Sequence, residues 1–410
     1  MSVFISYIQI FASYFCGILL YFFPGIVTYR QFALIMAVLS SVFLISEISH
    51  AHGRISVVTF RTFIIGAIVI VGYRLITPAI NAGAEPARYS SNFLSLLGQV
   101  FPSILTACFI AQHNDVQERI KAWAPYVALL FTAVAFVCTL RPAASTSGNL
   151  IENLNGFDYQ IVSYVAAYAS GLLGFYLVCK DKCSQMWIFK SKAGVPIALI
   201  SMFLDLLIVL LSGGRGGFVT YILLGLVTVF FALKSSTVSP RTIIKGALVL
   251  IIVIAGGYFA VKYVSNSSLS TIGFSRIVTL ISGGGDFRRA AKRTAALASF
   301  SESPIIGHGF GSVFYEIGEY THNFFTDALV EGGIVLIIFL IVIFCAGFIS
   351  NIKLIKANFT DIFWTYIFLC GFIISMFSGY YLTHFPLWWG VVFMLAKGRR
   401  SAEDKDLGVT

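Results

Sequence analysis

Charge is what this chain has least of. Only 11% of its 410 residues are Asp, Glu, Lys or Arg, where soluble globular proteins carry about 25%. That scarcity excludes a soluble enzyme or binding module, whose surface needs charge. No Lys or Arg precedes Arg30. A cleaved secretory signal needs a basic n-region, so the opening apolar run reads as a retained membrane anchor. Cysteine offers no framework either. Cys16, Cys108, Cys138, Cys345 and Cys370 lie in apolar runs, and Cys179 and Cys183 sit near a basic loop without metal-ligand partners at useful spacing. They read as small hydrophobes. P-loop, HExxH and GxSxG sequences are missing. So are internal repeats, low-complexity tracts and an acid-rich outer loop resembling a divalent-metal site.

What is present is apolar sequence of membrane length. Hydrophobic residues make up 58% of the chain and mean hydropathy is +0.88, which predicts an all-α polytopic membrane protein. Runs long enough to cross a hydrocarbon core number about twelve. They cover 4–22, 31–48, 57–76, 92–112, 124–140, 161–179, 195–211, 217–233, 243–261, 324–348, 362–380 and 385–396. Cytoplasmic loops collect Lys and Arg. With the N-terminus inside, these loops hold Arg54; Arg119 and Lys121; Lys180, Lys182, Lys190 and Lys192; Lys234, Arg241 and Lys245; Lys353 and Lys356; and Lys397, Arg399 and Arg400. This bias accounts for the net charge of +10 better than nucleic-acid binding does. The 399–410 tail reads as a disordered cytoplasmic end. The long loop 262–323 falls outside. Long loops cross whatever their charge, so its cations point to function.

Three constellations carry chemistry. Ser212-Gly213-Gly214-Arg215-Gly216-Gly217 is a tight helix–helix turn, where glycine lets a backbone approach a ligand and free amides cradle an anion. Arg215 equally fits an interfacial arginine reaching lipid phosphates. The outer loop holds Asp286-Phe287-Arg288-Arg289-Ala290-Ala291-Lys292-Arg293. An alanine-favoured helix over 288–299 places Arg289, Lys292 and Arg293 on one face. There they form a clamp for phosphate oxygens or a solvated face on anionic headgroups. The loop ends at His322-Asn323. Asn323, Asp327 and Glu331, spaced by four, share one helix face. Acids entering a span need a partner or a polar cavity. A neutral His322 at its mouth suits proton removal from a hydroxyl, and an interfacial histidine beside an Asn cap fits too. Asp205, mid-span, is a functional candidate or a helix–helix hydrogen bonder. Arg61 and Arg74 read as snorkelling, His384 as interfacial, and Tyr380, Tyr381, Trp388 and Trp389 as an aromatic belt.

The order of these segments resembles the bacterial O-antigen ligase and O-antigen polymerase superfamily. The matching residues are Leu211 to Gly217 with Arg215, then Arg289 fourteen residues before Ser303-Pro304-Ile305-Ile306-Gly307-His308-Gly309-Phe310-Gly311, then His322-Asn323 and Glu331-Gly332-Gly333. They cover roughly 195–350 of what reads as one integral-membrane domain, 1–410. Gly214 stands where the family has Ser or Thr, and Arg288 beside Arg289 leaves the loop assignment open by one residue.

The resemblance implies a fold like other GT-C membrane glycosyltransferases, in the bacterial inner membrane, with cytoplasmic termini and periplasmic chemistry. It implies inverting transfer of a glycan from undecaprenyl pyrophosphate to an acceptor hydroxyl, with no cofactor or metal needed. Arg215 and Arg289 would bind the pyrophosphate and stabilise the leaving charge. Arg288, Lys292 and Arg293 would assist, and Asn323, Asp327 and Glu331 would line the substrate side. His322 would orient or deprotonate the acceptor. The expected partners are the lipid-linked glycan, an acceptor glycan or lipid A-core, membrane lipids and a chain-length regulator. Glu331-Gly332-Gly333 and the 378–389 region favour a repeat-unit polymerase. A ligase onto lipid A-core shares the donor, and a polysaccharide-lipid flippase is the alternative of another class.

Overall fold

The structure, a computed structural model, describes residues 2–23, 28–50, 57–140, 159–182, 186–235 and 287–406. Outside them lie the expected span 243–261, loop residues 141–158, outer-loop residues 262–286, and Arg54, Cys183, Arg241 and Lys245. Residues 407–410 and the side chain of Arg288 lie outside as well.

Among the described residues the chain is helical. The principal helices are α1 (Ser2–Ile10), α2 (Ala12–Phe22), α3 (Tyr29–His50), α4 (Thr59–Ile80), α5 (Ala87–Ile110), α6 (Asn114–Leu140) and α7 (Tyr159–Cys179). They continue as α8 (Gly194–Ser212), α9 (Arg215–Lys234), α10 (Phe287–Glu302), α11 (Phe324–Ala357), α12 (Ile362–Ser375) and α13 (Phe385–Asp406). Seven are long and apolar enough to cross a membrane: α4 to α9 and α11. An eighth results if α1 and α2, bent by 91° at Phe11, form one span. The chain is thus a polytopic membrane protein, with fewer long apolar helices among the described residues than the twelve runs suggest. The apolar parts of α3 (Leu34–Ser46) and of the stretch Phe359–Ser375 are short. The 385–396 run is only the first half of α13, which continues into polar residues.

The chain divides into two compact units. Unit 2 comprises Ser13–Val27 and Glu118–Gly285. Its centre is α7, buried along nearly its whole length, with α8 and α9 packed on it. The seam uses small residues, as helix packing in lipid requires. A Cβ on Gly171 would stand 2.8 Å from Leu224 Cδ1, and one on Gly174 only 2.2 Å from Thr228 Oγ1.

Unit 1 comprises Met1–Ala12, Thr28–Gln117 and Asp286–Thr410. Here α13 packs on α5, α11 and α12, and α10 lies on α11. Trp364, Trp389 and Phe393 stack at the core, with centroids 3.7 to 5.6 Å apart. α4 and α5 each widen into a π turn, Gly72–Ile76 and Leu96–Val100. Pro78 and Pro102 follow these turns, and proline cannot donate the i→i−4 bond. Unit 1 has two polar ends. At one, Lys397 bonds Asp361 (2.8 Å) and Arg400 bonds the Gln112 carbonyl. The other holds α10, the start of α11 and the turn between α12 and α13. Large apolar side chains such as Ile68, Leu75 and Val342 are exposed along the helices between these ends, as a lipid-facing surface requires.

Candidate functional site

His322 sits on a turn pinned from both sides. Asn323 caps α11, its side-chain oxygen accepting from the Phe325 and Thr326 amides at 3.0 and 3.2 Å. Asp327 reaches back to accept the Thr321 amide at 2.7 Å. Thr326 Oγ1 donates to the Asn323 carbonyl at 3.0 Å, and the Thr321 and Thr326 hydroxyls meet. His322 itself is half-buried, has φ 60° and lies edge-on to Tyr320, 4.5 Å between centroids. A left-handed histidine persists only where its surroundings over-determine it. Here the Asn323 cap and the Asp327 tie do so.

One turn further on, Glu331 is buried, and each carboxylate oxygen accepts one phenol. Tyr380 Oη and Tyr381 Oη both donate at 2.7 Å. Two residues later α11 breaks at Gly333, φ 58° and ψ −154°. The loop Pro304-Ile305-Ile306-Gly307-His308-Gly309 docks at the break and supplies the missing backbone bonds. The Ile334 and Val335 amides donate to the Pro304 and Ile305 carbonyls at 2.9 and 3.1 Å, and the His308 and Gly309 amides donate to the Val330 and Glu331 carbonyls at 2.9 and 2.8 Å. The approach leaves no room for side chains. A Cβ on Gly307 would lie 2.5 Å from the Glu331 carbonyl carbon, and one on Gly333 2.5 Å from that of Ile305. Glu331, Gly332 and Gly309 also line a cavity of 390 Å³ whose remaining wall, from Ile68 to Phe339, is apolar.

The turn after α12 ties these parts to the cations. Arg289, half-buried at the start of α10, donates to the Phe377 carbonyl at 3.2 Å. His384 Nε2 meets the next carbonyl, Ser378, at 2.8 Å. A carbonyl only accepts, so Nε2 carries the ring proton. Burial pushes this imidazole's pKa down to about 4. Gly379, φ 77°, leaves room for the ring, since a Cβ there would be 2.4 Å from Nε2.

The expected triad on α10 splits. Arg289 and Lys292 face inward in line with buried Ala296 and Ser299, whereas Arg293 is exposed beside them. Lys292 pairs with Glu319, which also pairs with Arg88 of α5. Arg74, at the same end, bonds Glu85 at 2.8 Å and lies over the Phe93 ring. Hydrogen bonds from Ser90 and then Arg74 hold the Glu85 carboxyl below its ordinary range.

Arg215 and Asp205 belong to unit 2. Gly213 (φ 71°) ends α8, and Arg215 opens α9 half-exposed. The flanking glycines serve close packing there. Ser163 of α7 donates to the Gly214 carbonyl at 3.0 Å, and a Cβ on Gly217 would stand 1.7 Å from Ser163 Oγ. Asp205 is fully buried, with neither carboxylate oxygen completing a hydrogen bond. The Thr132 hydroxyl approaches it but donates to the Ala128 carbonyl at 3.1 Å.

Of the residues singled out in the sequence, Arg289, Lys292, His322, Asn323, Asp327 and Glu331 thus gather at one end of unit 1. His322 and Arg289 do not line the Glu331 cavity. Sequence reasoning missed Tyr380, Tyr381 and His384 as members of this cluster, and Arg88 and Glu319 altogether. The available signal was the density of polar groups between 376 and 384 in an otherwise apolar stretch. No protein-family model, curated protein or solved structure matches this chain.

Proposed function

We propose that this chain is a glycosyltransferase of bacterial surface-polysaccharide assembly. It moves a glycan from an undecaprenyl-pyrophosphate-linked donor to an acceptor hydroxyl at the outer face of the inner membrane, as an O-antigen repeat-unit polymerase. One observation carries the reading: Arg289 contacts the Phe377–Tyr381 turn that grips Glu331, at the end of unit 1 where His322 is held. In the reaction the acceptor oxygen bonds to the anomeric carbon as the bond to the pyrophosphate oxygen breaks. Arg289 meets the charge developing on the leaving pyrophosphate, and His322 takes the hydroxyl proton. A preorganised donor of this kind is worth about 3–4 kcal/mol, and a positioned base about 10²–10⁴-fold in rate. The likeness to the family turn alone gives Arg215, in unit 2, a part in pyrophosphate binding.

Deletion of the gene, followed by lipopolysaccharide gels and analysis of undecaprenyl-linked glycans, tests the reading. A single repeat unit on lipid A-core with the ladder lost is the polymerase outcome. Bare core with long glycan on undecaprenyl makes the chain a ligase, and an unchanged ladder removes the O-antigen reading. Complementation with Arg289→Ala, Arg215→Ala or His322→Ala is expected to restore no ladder while the protein still inserts. Near-wild-type turnover by any of these purified variants strikes that residue's role. A flippase is the second reading, favoured by Asp205, whose buried carboxylate oxygens complete no hydrogen bond.

A further inference from the structure

Arg88 and Glu319 stand 231 residues apart in sequence, yet they meet, with Lys292 joining them from α10. The Glu319 carboxylate bridges the two cations, Oε2 to Arg88 and Oε1 to Lys292. The cluster stays open to its surroundings. Arg88 keeps 54% of its side-chain surface, Glu319 23% and Lys292 17%. Glu319 hangs on open backbone, because the preceding Gly318 has φ 85° and nothing within 4 Å of where a Cβ would stand. Arg289 lies one turn before Lys292 on the same inward stripe. A guanidinium and an ammonium aimed at one point recognise phosphate oxygens. Glu319 is only half-buried, so solvent screens its hold on the two cations, and a phosphate group brings more charge. Glu319 is also three residues from His322, whose ring packs against Tyr320.

We propose that Arg88 and Lys292 form an anion-binding site for a phosphate-class group, that Glu319 is the internal anion this group displaces, and that the displacement acts on the turn carrying His322. The site rests on the transferase reading only for the identity of the molecule that bears the phosphate.

The test is calorimetric titration of the full-length protein in neutral detergent with inorganic pyrophosphate. Glu319→Gln is expected to bind severalfold more tightly than wild type, Lys292→Met and Arg88→Gln to bind severalfold more weakly, and Arg74→Gln, an exposed cation at the same end but outside the cluster, to bind as wild type. Unchanged or weaker binding by Glu319→Gln overturns the proposal. So does an equal loss in Arg74→Gln, which would reduce the effect to bulk charge. Melting temperatures accompany each titration, and the exposed Arg88 variant keeps the test open if Lys292→Met unfolds. Repeating the titration in phosphatidylglycerol and phosphatidylcholine nanodiscs separates the sources. Weaker pyrophosphate binding in phosphatidylglycerol marks competition by a lipid headgroup, and equal binding marks a diffusible anion. No donor or acceptor is present, so failure here leaves the transferase reading standing. Conversely, loss of the transferase reading leaves the anion site standing.

Discussion

Glu331 has both carboxylate oxygens occupied, and the occupants decide what a substitution does. Removing one phenol leaves a buried oxygen without its donor, which costs about 1–3 kcal/mol. Tyr380→Phe and Tyr381→Phe are each expected to lower thermal stability by that order. Glu331→Gln is expected to do the same, because its amide turns a donor toward a phenol donor. If all three melted like wild type in detergent, the node would not hold the turn after α12. His384 makes a separate prediction. Its pKa falls from 6.5 in the free residue to about 4 in the fold. Between those values the unfolded chain takes up a proton that the folded chain refuses, so stability is lost as pH drops from about 6.5 toward 4. The loss is roughly 2 kcal/mol, less than the full shift gives because the ring keeps part of its surface open. His384→Gln should flatten the melting-temperature profile across that window, and an unaltered slope would remove His384 as its cause. At this scale the sequence reveals Asp327 and Glu331, because a spacing of four defines a helix face. It hides the tyrosines. They lie 49 and 50 residues from Glu331, and a tyrosine pair at a membrane boundary looks like a belt.

Among the elements, α11 is one hydropathy peak and two helices. The expected span 324–348 identifies the peak, and Glu331-Gly332-Gly333 hints at its weak point. The break becomes visible only when the 304–309 loop is placed against it, because the loop carbonyls and amides complete bonds the helix forgoes. Gly333 occupies a region of φ/ψ space essentially closed to other residues, and Gly307 has φ 64° against a backbone wall. Gly333→Ala is therefore expected to cost about 3 kcal/mol or more in thermal stability. Gly225→Ala, in α9 with nothing within 4 Å of the new methyl, is expected to be neutral or to stabilise by up to about 1 kcal/mol. Equal melting shifts for the two variants would mean that the docked loop contributes nothing. The helix over 288–299 forms as alanine content predicts. The turn at Arg215 also forms, but its glycines answer to Ser163 of α7, a partner no local spacing discloses.

For the whole molecule, scarce charge and long apolar runs point to a helical polytopic membrane protein, and among the described residues every regular element is a helix. The number of spans does not follow so directly, since a run of membrane length can bend, as α1 and α2 do, or stop short, as in α3. The Gly333 break adds something hydropathy cannot express. Residues 334–352, the stretch of the long piece before Lys353, reach ~28 Å at 1.5 Å per residue, close to a hydrocarbon core of about 30 Å without the preceding turns. Asp327 and Glu331 belong to the shorter piece, which is not needed for that crossing. Hydrophobic matching to bilayer thickness is thus set by the long piece, while the aim of the acids is set by the loop and tyrosines around the short one. The depth of the long piece and the aim of the carboxylates thus answer to different neighbours, joined where the 304–309 loop bonds both sides of the break.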